Sequence, residues 1–449
     1  MGFRDDFVWG VASASYQVEG AVNEDGRGMS VWDMFCREPG RIVDGSSGDA
    51  ACDHYHRFKE DIAIMKGLGV KAYRFSIAWP RVIPDGDGKP NEKGLDFYES
   101  LVDALLEAGI TPYATLFHWD YPYALFRKGG WMNPESPKWF QGYVEAVAKR
   151  LGGKLPYVFT FNEPQCFIGI SCAETYHAPG IRFPIWDTTL MAHNVLLAHG
   201  LAVGALRSLS PGTKIGYAPT GPAHYPATES AKDREAARMA FFAVGERPFG
   251  SSSLWSDPVF LGKYPDEFLK KHEQYLPKTF GDDLKIISAP LDFLGQNIYY
   301  GNAVRADGKG SYEFCRRETG YAFTAAKWPV TPETLYWGPV FLSERYKVPI
   351  YITENGLSCA DVVSLDGKVH DPARIDFLHR YLCCLKKASE GGVDIRGYFH
   401  WSFTDNFEWA KGYTERFGLV HCNFETQQRI IKDSGYWYSD VIRSNGRQL

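Results

Sequence analysis

Short apolar segments recur along the whole chain, and each is followed by a longer stretch with the pattern of an amphipathic helix. The apolar segments span residues 7–13, 72–78, 111–117, 157–162, 214–219, 291–297, 349–355 and 395–402. They are nearly continuous in Val, Ile, Phe, Tyr and Thr, as strands buried on both faces are. Strands that alternate with helices eight times predict an α/β fold of the (β/α)8 TIM barrel type. A doubly wound open sheet is the second candidate, because a miscount of one strand would favour it.

Two of the intervening helices have especially clear sequence patterns. The first carries one apolar face and ends at Gly109, and that face consists of Leu95, Tyr98, Leu101, Val102, Leu105 and Leu106. The second runs from residue 372 to about residue 390, where Gly391 and Gly392 follow. No linker and no charge block divides the chain, so residues 1–449 are expected to form one barrel domain with extended loops on its C-terminal face.

Composition and processing signals narrow the class of protein. The formal net charge is −5, whereas nucleic-acid-binding domains usually present a basic face. No apolar run approaches the ~18 residues of a membrane-spanning helix, and Asp5 and Asp6 stand where a signal peptide would be basic and then apolar. The nine cysteines are scattered and no Asn-x-Ser/Thr sequon occurs. These features predict a cytoplasmic protein that binds neither nucleic acid nor membranes.

Polar and aromatic side chains follow the ends of the predicted strands, where the active residues of a barrel lie. In chain order they are Gln17, His118, Trp119, Asn162, Glu163, Asn297, Tyr299, Glu354, Asn355 and Trp401. The fifth segment ends in Tyr217 and Pro219 and offers little chemistry. An active site is therefore expected at the C-terminal face of the barrel.

Glu163 and Glu354 stand apart from the other acids because each finishes an apolar segment. A carboxyl group at the end of a buried strand is costly to ionise and needs partners, which favours a catalytic role over a structural ion pair. Two such groups at one barrel mouth suit glycoside hydrolysis. A separation of about 5–5.5 Å would give retention of configuration, and one of about 6.5–9.5 Å would give inversion. The sequence leaves this separation open.

The segments around these two acids resemble the two signatures of glycoside hydrolase family 1, the β-glucosidase family. They are residues 160–164 and 352–356, and segments 7–20, 73–81, 117–120, 177–180 and 401–418 match the family in the expected order. The chain thus resembles a bacterial-type member of that family, whose fold is a (β/α)8 barrel.

The resemblance implies a role for each matching residue. Glu354 is the implied nucleophile and Glu163 the implied acid/base, with Arg74, Tyr299 and Asn297 supporting the nucleophile. The residues implied in binding the sugar are Gln17, His118, Trp119, Asn162, Trp401, Glu408, Trp409 and Phe417. Phospho-glycosidase relatives replace the acid at position 408 with a smaller polar residue, so Glu408 implies unphosphorylated substrates.

Departures from the family pattern surround the leaving-group side. Gln165 stands where Trp is usual, and Tyr121 belongs to a Tyr-Pro-Tyr stretch where Leu-Pro-Gln is commoner. Trp328 is assigned to the same aglycone side. These changes leave aglycone preference and transglycosylation open, while the residues expected around the sugar are intact.

The function implied is that of a retaining β-glycosidase. Its expected substrates are the non-reducing terminal β-D-glucosyl residues of cellobiose-like oligosaccharides and of aryl β-glucosides, with β-galactosides and β-fucosides as further candidates and cellulose degradation as its context. An inactive sugar-binding barrel, a transglycosidase and a phosphorylase are the alternatives. Asp53, His54 and His56 invite a metal site, but residues two apart on a helix do not share a face, so neither metal nor cofactor is expected. A homo-oligomer is left open.

Overall fold

Eight parallel strands close into a barrel in the computed structural model, which describes residues 2–449. The strands are β1 (Val8–Ala12), β2 (Ala72–Ser76), β3 (Thr111–Thr115), β4 (Tyr157–Asn162), β5 (Lys214–Ala218), β6 (Phe293–Asn297), β7 (Ile350–Asn355) and β8 (Ile395–Trp401). They follow one another in chain order, and β8 pairs with β1. The barrel prediction is therefore confirmed and the open-sheet alternative is wrong, because both edges of the sheet pair with each other.

Helices separate successive strands and form the outer layer. At least one helix of ten or more residues follows each strand, and these helices include His54–Gly67, Glu92–Glu107, Ser136–Leu151, Ile185–Leu209, Ser252–Leu261, Thr334–Tyr346, Pro372–Glu390 and Asp433–Ser444. Further helical segments are Ser15–Val18, Val31–Cys36, Trp79–Val82, Tyr123–Phe126, Gln165–Ala173, Ala231–Phe242, Asp266–His272 and Phe280–Ile287. Two small sheets lie outside the barrel, one of Val420–Cys422 with Arg429–Ile431 and one of Tyr225–Pro226, Ala303–Ala306 and Tyr312–Phe314.

The apolar face expected on helix Glu92–Glu107 is buried except at its last residue. Leu105 is fully buried, whereas Leu106 is 44% exposed. Gly109 follows the helix with φ of +75°, a left-handed conformation that glycine adopts without strain.

Aromatic rings from different strands fill the inside of the barrel. Tyr113 of β3 contacts the rings of Tyr351 in β7 and Phe399 in β8. Glycine makes room for these rings, since a Cβ on Gly216 would lie 2.0 Å from the ring of Phe293. The interior is therefore a packed core, and a ligand can enter only above it, at the strand ends.

By length and composition alone, helix Ile185–Leu209 could cross a membrane. In this protein 78% of its most apolar stretch is buried. It packs against helix Ser136–Leu151 and helix Phe280–Ile287. Its apolar character is thus accounted for by burial within the fold.

Candidate active site

Most of the predicted site residues converge at the C-terminal ends of the strands, around a cavity of about 370 Å³. Both Glu163 and Glu354 line it. The residues from the sequence prediction that line it with them are His118, Trp119, Gln165, Tyr299, Trp328, Trp401, Glu408, Trp409 and Phe417. This volume lies in the range of small-molecule sites in proteins.

Glu354 is held by two hydrogen-bond donors. Arg74 of β2 donates from Nη1 to Glu354 Oε1 at 2.5 Å, and the Tyr299 hydroxyl donates to Oε2 at 2.8 Å. The pKa of Glu354 lies above its ordinary value because the carboxyl group is buried, and the guanidinium of Arg74 and the hydroxyl of Tyr299 oppose that rise. The two donors therefore stabilise the ionised carboxylate, which is the form that a nucleophile needs.

Glu163 is set up to hold a proton. Burial, followed by the nearby negative charge of Glu354, raises the pKa of Glu163 to about 7. Asn297 Nδ2 donates to Glu163 Oε1 at 2.6 Å and the Cys166 thiol donates to Oε2 at 3.1 Å, and both donors work against that rise. The two carboxyl groups thus differ in environment in the way that separates a nucleophile from a general acid.

One amide links the surroundings of the two carboxyl groups. Asn162 Oδ1 accepts from Arg74 Nη2 at 2.6 Å and from Asn297 Nδ2 at 3.0 Å. Arg74 also binds Glu354, and Asn297 also binds Glu163. Asn297 was expected beside the nucleophile, and the structure places its direct contact on Glu163 instead, although the same amide also lowers the pKa of Glu354. It thus lies between the two acids.

The residues expected to bind sugar hydroxyls form hydrogen-bonded pairs. Gln17 Nε2 donates to Glu408 Oε2 at 3.1 Å, and Asn162 Nδ2 lies 3.1 Å from His118 Nε2. Burial raises the pKa of Glu408 to about 8, so near neutral pH this group is largely protonated in the free protein. The charge repulsion expected from Glu408 toward a sugar phosphate is weaker for that reason.

Three indole rings and His118 make one wall of the cavity. The His118 ring stacks at tilts of 25° and 21° against Trp401 and Trp409, with centroids 5.7 Å and 6.0 Å away, and Trp119 packs on Trp409 at 4.5 Å. The backbone has positive φ at Trp119 (+79°), Glu163 (+46°) and Trp409 (+54°). Residues other than glycine rarely adopt this backbone conformation, and such strain concentrates at functional sites.

The three residues assigned to the aglycone side do not stay together. Gln165 and Trp328 line the cavity that contains both acids. Tyr121 does not, because it packs in an aromatic cluster with Trp79 and Trp131 and lines a separate apolar cavity of about 320 Å³. Trp119 lines both cavities, and Tyr121, two residues later, lines only the apolar one.

Several residues that the sequence prediction left out also line the main cavity. They are Cys166, Ile170, Tyr176, His177, Tyr300, Lys411 and Glu415, with Thr220, Gly221 and Pro222 after β5. Most lie on loops whose path no periodic pattern predicts. Their nearness in sequence to the matched segments is the signal that could have found them.

His54 and His56, weighed as metal ligands, bond to different partners. His54 Nδ1 lies 2.7 Å from Asp61 Oδ2, and His56 Nδ1 lies 2.6 Å from Asp53 Oδ1. His54 is buried and His56 is exposed. The two rings therefore do not converge on one point.

Comparison with known proteins identifies the family. Residues 1–447 match the family described as glycosyl hydrolase family 1. Beta-glucosidase A of Thermotoga maritima is 44% identical over 445 residues, covering 99% of this chain and 98% of the relative. Beta-glucosidase A of Acetivibrio thermocellus is 45% identical over 450 residues, covering 99% of both chains. A bifunctional β-D-glucosidase/β-D-fucosidase of Bifidobacterium breve is 40% identical over 467 residues, covering 98% of both.

A solved structure agrees with these sequence matches. The Thermotoga maritima β-glucosidase in complex with glucoimidazole superposes with a TM-score of 0.91, at 44% identity and with 99% of each chain covered. Sequence and structure match over nearly the whole length of both proteins. The chain therefore belongs to glycosyl hydrolase family 1.

Proposed function

We propose that this protein is a retaining β-glycosidase that removes the non-reducing terminal β-D-glucosyl residue from cellobiose-like oligosaccharides and aryl β-glucosides. The observation that carries the proposal is the pair of buried carboxyl groups in one cavity. Arg74 and Tyr299 stabilise the charge of Glu354, while burial and the Glu354 charge give Glu163 a pKa of about 7. The relatives named as β-glucosidases support the choice of sugar.

The proposed reaction has two displacements. Glu354 attacks the anomeric carbon while Glu163 gives its proton to the leaving oxygen, and a glycosyl-enzyme ester forms. Glu163, now a carboxylate, then takes a proton from water, whose oxygen attacks the same carbon and releases Glu354. Two inversions leave the sugar with its original β configuration. Esterification removes the Glu354 charge, which lowers the pKa of Glu163 when it must act as a base.

The polar groups above the barrel are proposed to bind the sugar hydroxyls. Gln17, His118, Asn162 and Glu408 would each supply a partner to a hydroxyl that would otherwise be buried unpaired. Asn162 is proposed to reach the 2-hydroxyl, whose hydrogen bond strengthens in the transition state. The bifunctional relative supports β-fucosides as additional substrates.

Unphosphorylated sugars are the proposed substrates. A sugar phosphate would bring its negative charge into the cavity that holds the Glu354 carboxylate, whereas Glu163 and Glu408, with pKa values of about 7 and about 8, add little charge near neutral pH and Lys411 is a lining cation. We further propose that residues 1–449 act as one catalytic domain in the cytoplasm, within cellulose degradation. The free state of the nine cysteines agrees with a reducing compartment.

The first test is a set of substrates with the anomer of the product observed. We expect hydrolysis of aryl β-glucoside and cellobiose, a weaker rate on aryl β-mannoside, and at least about tenfold lower kcat/KM on 6-phospho-β-glucoside. NMR during the first turnovers should show β-glucose before mutarotation. An α product would contradict the double displacement, activity confined to the phosphorylated sugar would contradict the phosphate argument, and binding without turnover would favour the inactive barrel.

The second test is the pH dependence of kcat/KM, which reports on the free enzyme. Glu163 must be protonated to act as an acid and its pKa is about 7, so kcat/KM should fall as the pH rises through about 7. A glucoside with a very good leaving group, such as 2,4-dinitrophenolate, needs little proton donation and should lose this alkaline limb. An identical limb for good and poor leaving groups would mean that Glu163 is not the acid.

A further inference from the structure

Cys166 touches the acid of the proposed reaction. Its thiol lies 3.1 Å from Glu163 Oε2, and its backbone N–H donates to the Glu163 carbonyl oxygen at 2.8 Å. The residue is 8% exposed and sits near the start of the helical segment Gln165–Ala173, which lines the cavity. Both its backbone and its side chain are thus tied to Glu163.

The surroundings of Glu163 decide which carboxyl oxygen carries the proton. Asn297 cannot flip, because its Nδ2 also donates to Asn162 Oδ1 at 3.0 Å, and that oxygen must stay an acceptor for Arg74 Nη2, which can only donate. Its Nδ2 therefore faces Glu163 Oε1, at 2.6 Å. An amide nitrogen only donates, so Oε1 must act as an acceptor in both protonation states of Glu163. In a neutral carboxyl group the unprotonated oxygen is the better acceptor, so the 2.6 Å bond from Asn297 favours the proton on Oε2.

Cys166 can accompany Oε2 through both protonation states. A thiol is a weak donor and also a weak acceptor. Burial and the neighbouring Glu163 raise the pKa of Cys166 well above its ordinary value, so the thiol keeps its hydrogen. It can donate to Oε2 when Glu163 is a carboxylate and, after rotation about Cβ–Sγ, accept from Oε2–H when Glu163 is an acid.

We infer that Cys166 is a positioning residue that keeps the transferable proton of Glu163 on Oε2. The inference rests on the proposed function. In the first step the Oε2–H bond breaks as the aglycone oxygen gains the proton, and the thiol turns from acceptor to donor. In the second step a proton from water returns to Oε2 and the thiol turns back. No bond of the thiol itself breaks in either step.

The same segment contains a matched control. Cys172 is buried and its thiol lies 3.6 Å from the Phe167 carbonyl oxygen, its hydrogen-bond partner among the described residues. It lines the apolar cavity rather than the one that holds the two acids. Replacing Cys172 therefore perturbs the packing of the segment without touching Glu163.

The test compares Cys166→Ala, Cys166→Val, Cys166→Ser and Cys172→Ala. Ala and Val both lack a polar atom but differ in volume, and each removes a donor that favours the carboxylate. We expect both to move the alkaline limb of kcat/KM on cellobiose upward by about half a pH unit to one unit. Cys166→Ser keeps a donor and an acceptor and should stay within about 0.3 unit of the wild type. Cys172→Ala should not shift the limb.

The size of the rate loss should depend on the leaving group. Cys166→Ala and Cys166→Val should lower kcat/KM about 3- to 10-fold on cellobiose and less than about 2-fold on 2,4-dinitrophenyl β-glucoside, which needs little protonation. Titration of active sites with a 2-deoxy-2-fluoroglucoside gives the concentration of folded enzyme, so that misfolded protein does not lower the measured rates. One folded Cys166 variant is sufficient for the comparison with Cys172→Ala.

Two results would overturn the inference. One concerns the alkaline limb of kcat/KM: it would lie at the wild-type pH in Cys166→Ala or Cys166→Val, or it would be shifted in Cys166→Ser as far as in those two variants. The other is an equal loss on both substrates, as a packing role would produce. A wild-type protein without activity on any glycoside would instead overturn the proposed function, so the two failures are distinguishable.

Discussion

Replacing Glu354 with Ala should lower turnover of an aryl β-glucoside by a factor on the order of 10⁴ or more. The variant lacks the oxygen that attacks the anomeric carbon, so no glycosyl-enzyme can form. Added azide should restore turnover by entering the space left by the carboxylate. Because azide would then attack directly from that face, NMR should identify an α-glycosyl azide as the product.

The control for this variant concerns folding. Arg74 would remain fully buried without its carboxylate, and breaking a buried ion pair costs about 3–5 kcal/mol of folding free energy. Thermal unfolding and circular dichroism should therefore show a folded protein with a lower melting temperature. A folded Glu354→Ala protein that keeps more than about a tenth of the wild-type rate would contradict the nucleophile assignment.

Replacing Glu163 with Ala should give a loss that depends on the leaving group. On cellobiose, whose leaving oxygen needs a proton, kcat/KM should fall about 10²- to 10⁴-fold. On 2,4-dinitrophenyl β-glucoside the first step should be much less affected, so the glycosyl-enzyme accumulates because no base activates water. Azide needs no base and should speed its breakdown, giving the β-glycosyl azide.

The stereochemistry of the two azide products separates the two carboxyl groups. An α product from the Glu163 variant together with a β product from the Glu354 variant would mean that the roles are reversed. Equal losses of the Glu163 variant on both substrates would contradict its role as an acid. Burst kinetics with the dinitrophenyl substrate, monitored by release of the phenolate, distinguishes slow formation of the intermediate from slow breakdown.

The strand-end rule located the two acids because each of them finishes a buried strand. Asn162 and Glu163 follow the apolar residues of β4, and Glu354 lies in β7. Parallel strands of a closed barrel present their C-terminal ends on one face, so residues nearly 200 positions apart can be placed together without a structure. The strand prediction was accurate for the same reason, since burial on both faces leaves a nearly continuous apolar segment.

Loop residues did not follow from the same reasoning. Tyr121 comes two residues after Trp119 and is expected in the same region, but Trp119 lies between the two cavities and Tyr121 lines only the apolar one. Cys166 comes three residues after Glu163 and returns to its carboxylate through the first turn of a helical segment. Both residues follow a residue of the site by only two or three positions. Their distance along the sequence therefore does not tell which of them reaches the site, and only the path of the backbone does.

The sequence by itself predicted the barrel and placed Glu163 and Glu354 together at one face of it, because apolar periodicity and strand ends are local properties of the chain. Only the tertiary structure decided which oxygen of Glu163 faces Cys166, that Asn297 lies between the two acids, and that Glu408 is driven toward its protonated form. Those features depend on atoms that meet from several strands and on the loss of water around them. The packing of these strands sets how deeply each carboxyl group is buried and which donors it contacts. Burial and hydrogen bonding in turn decide whether each carboxyl group is protonated.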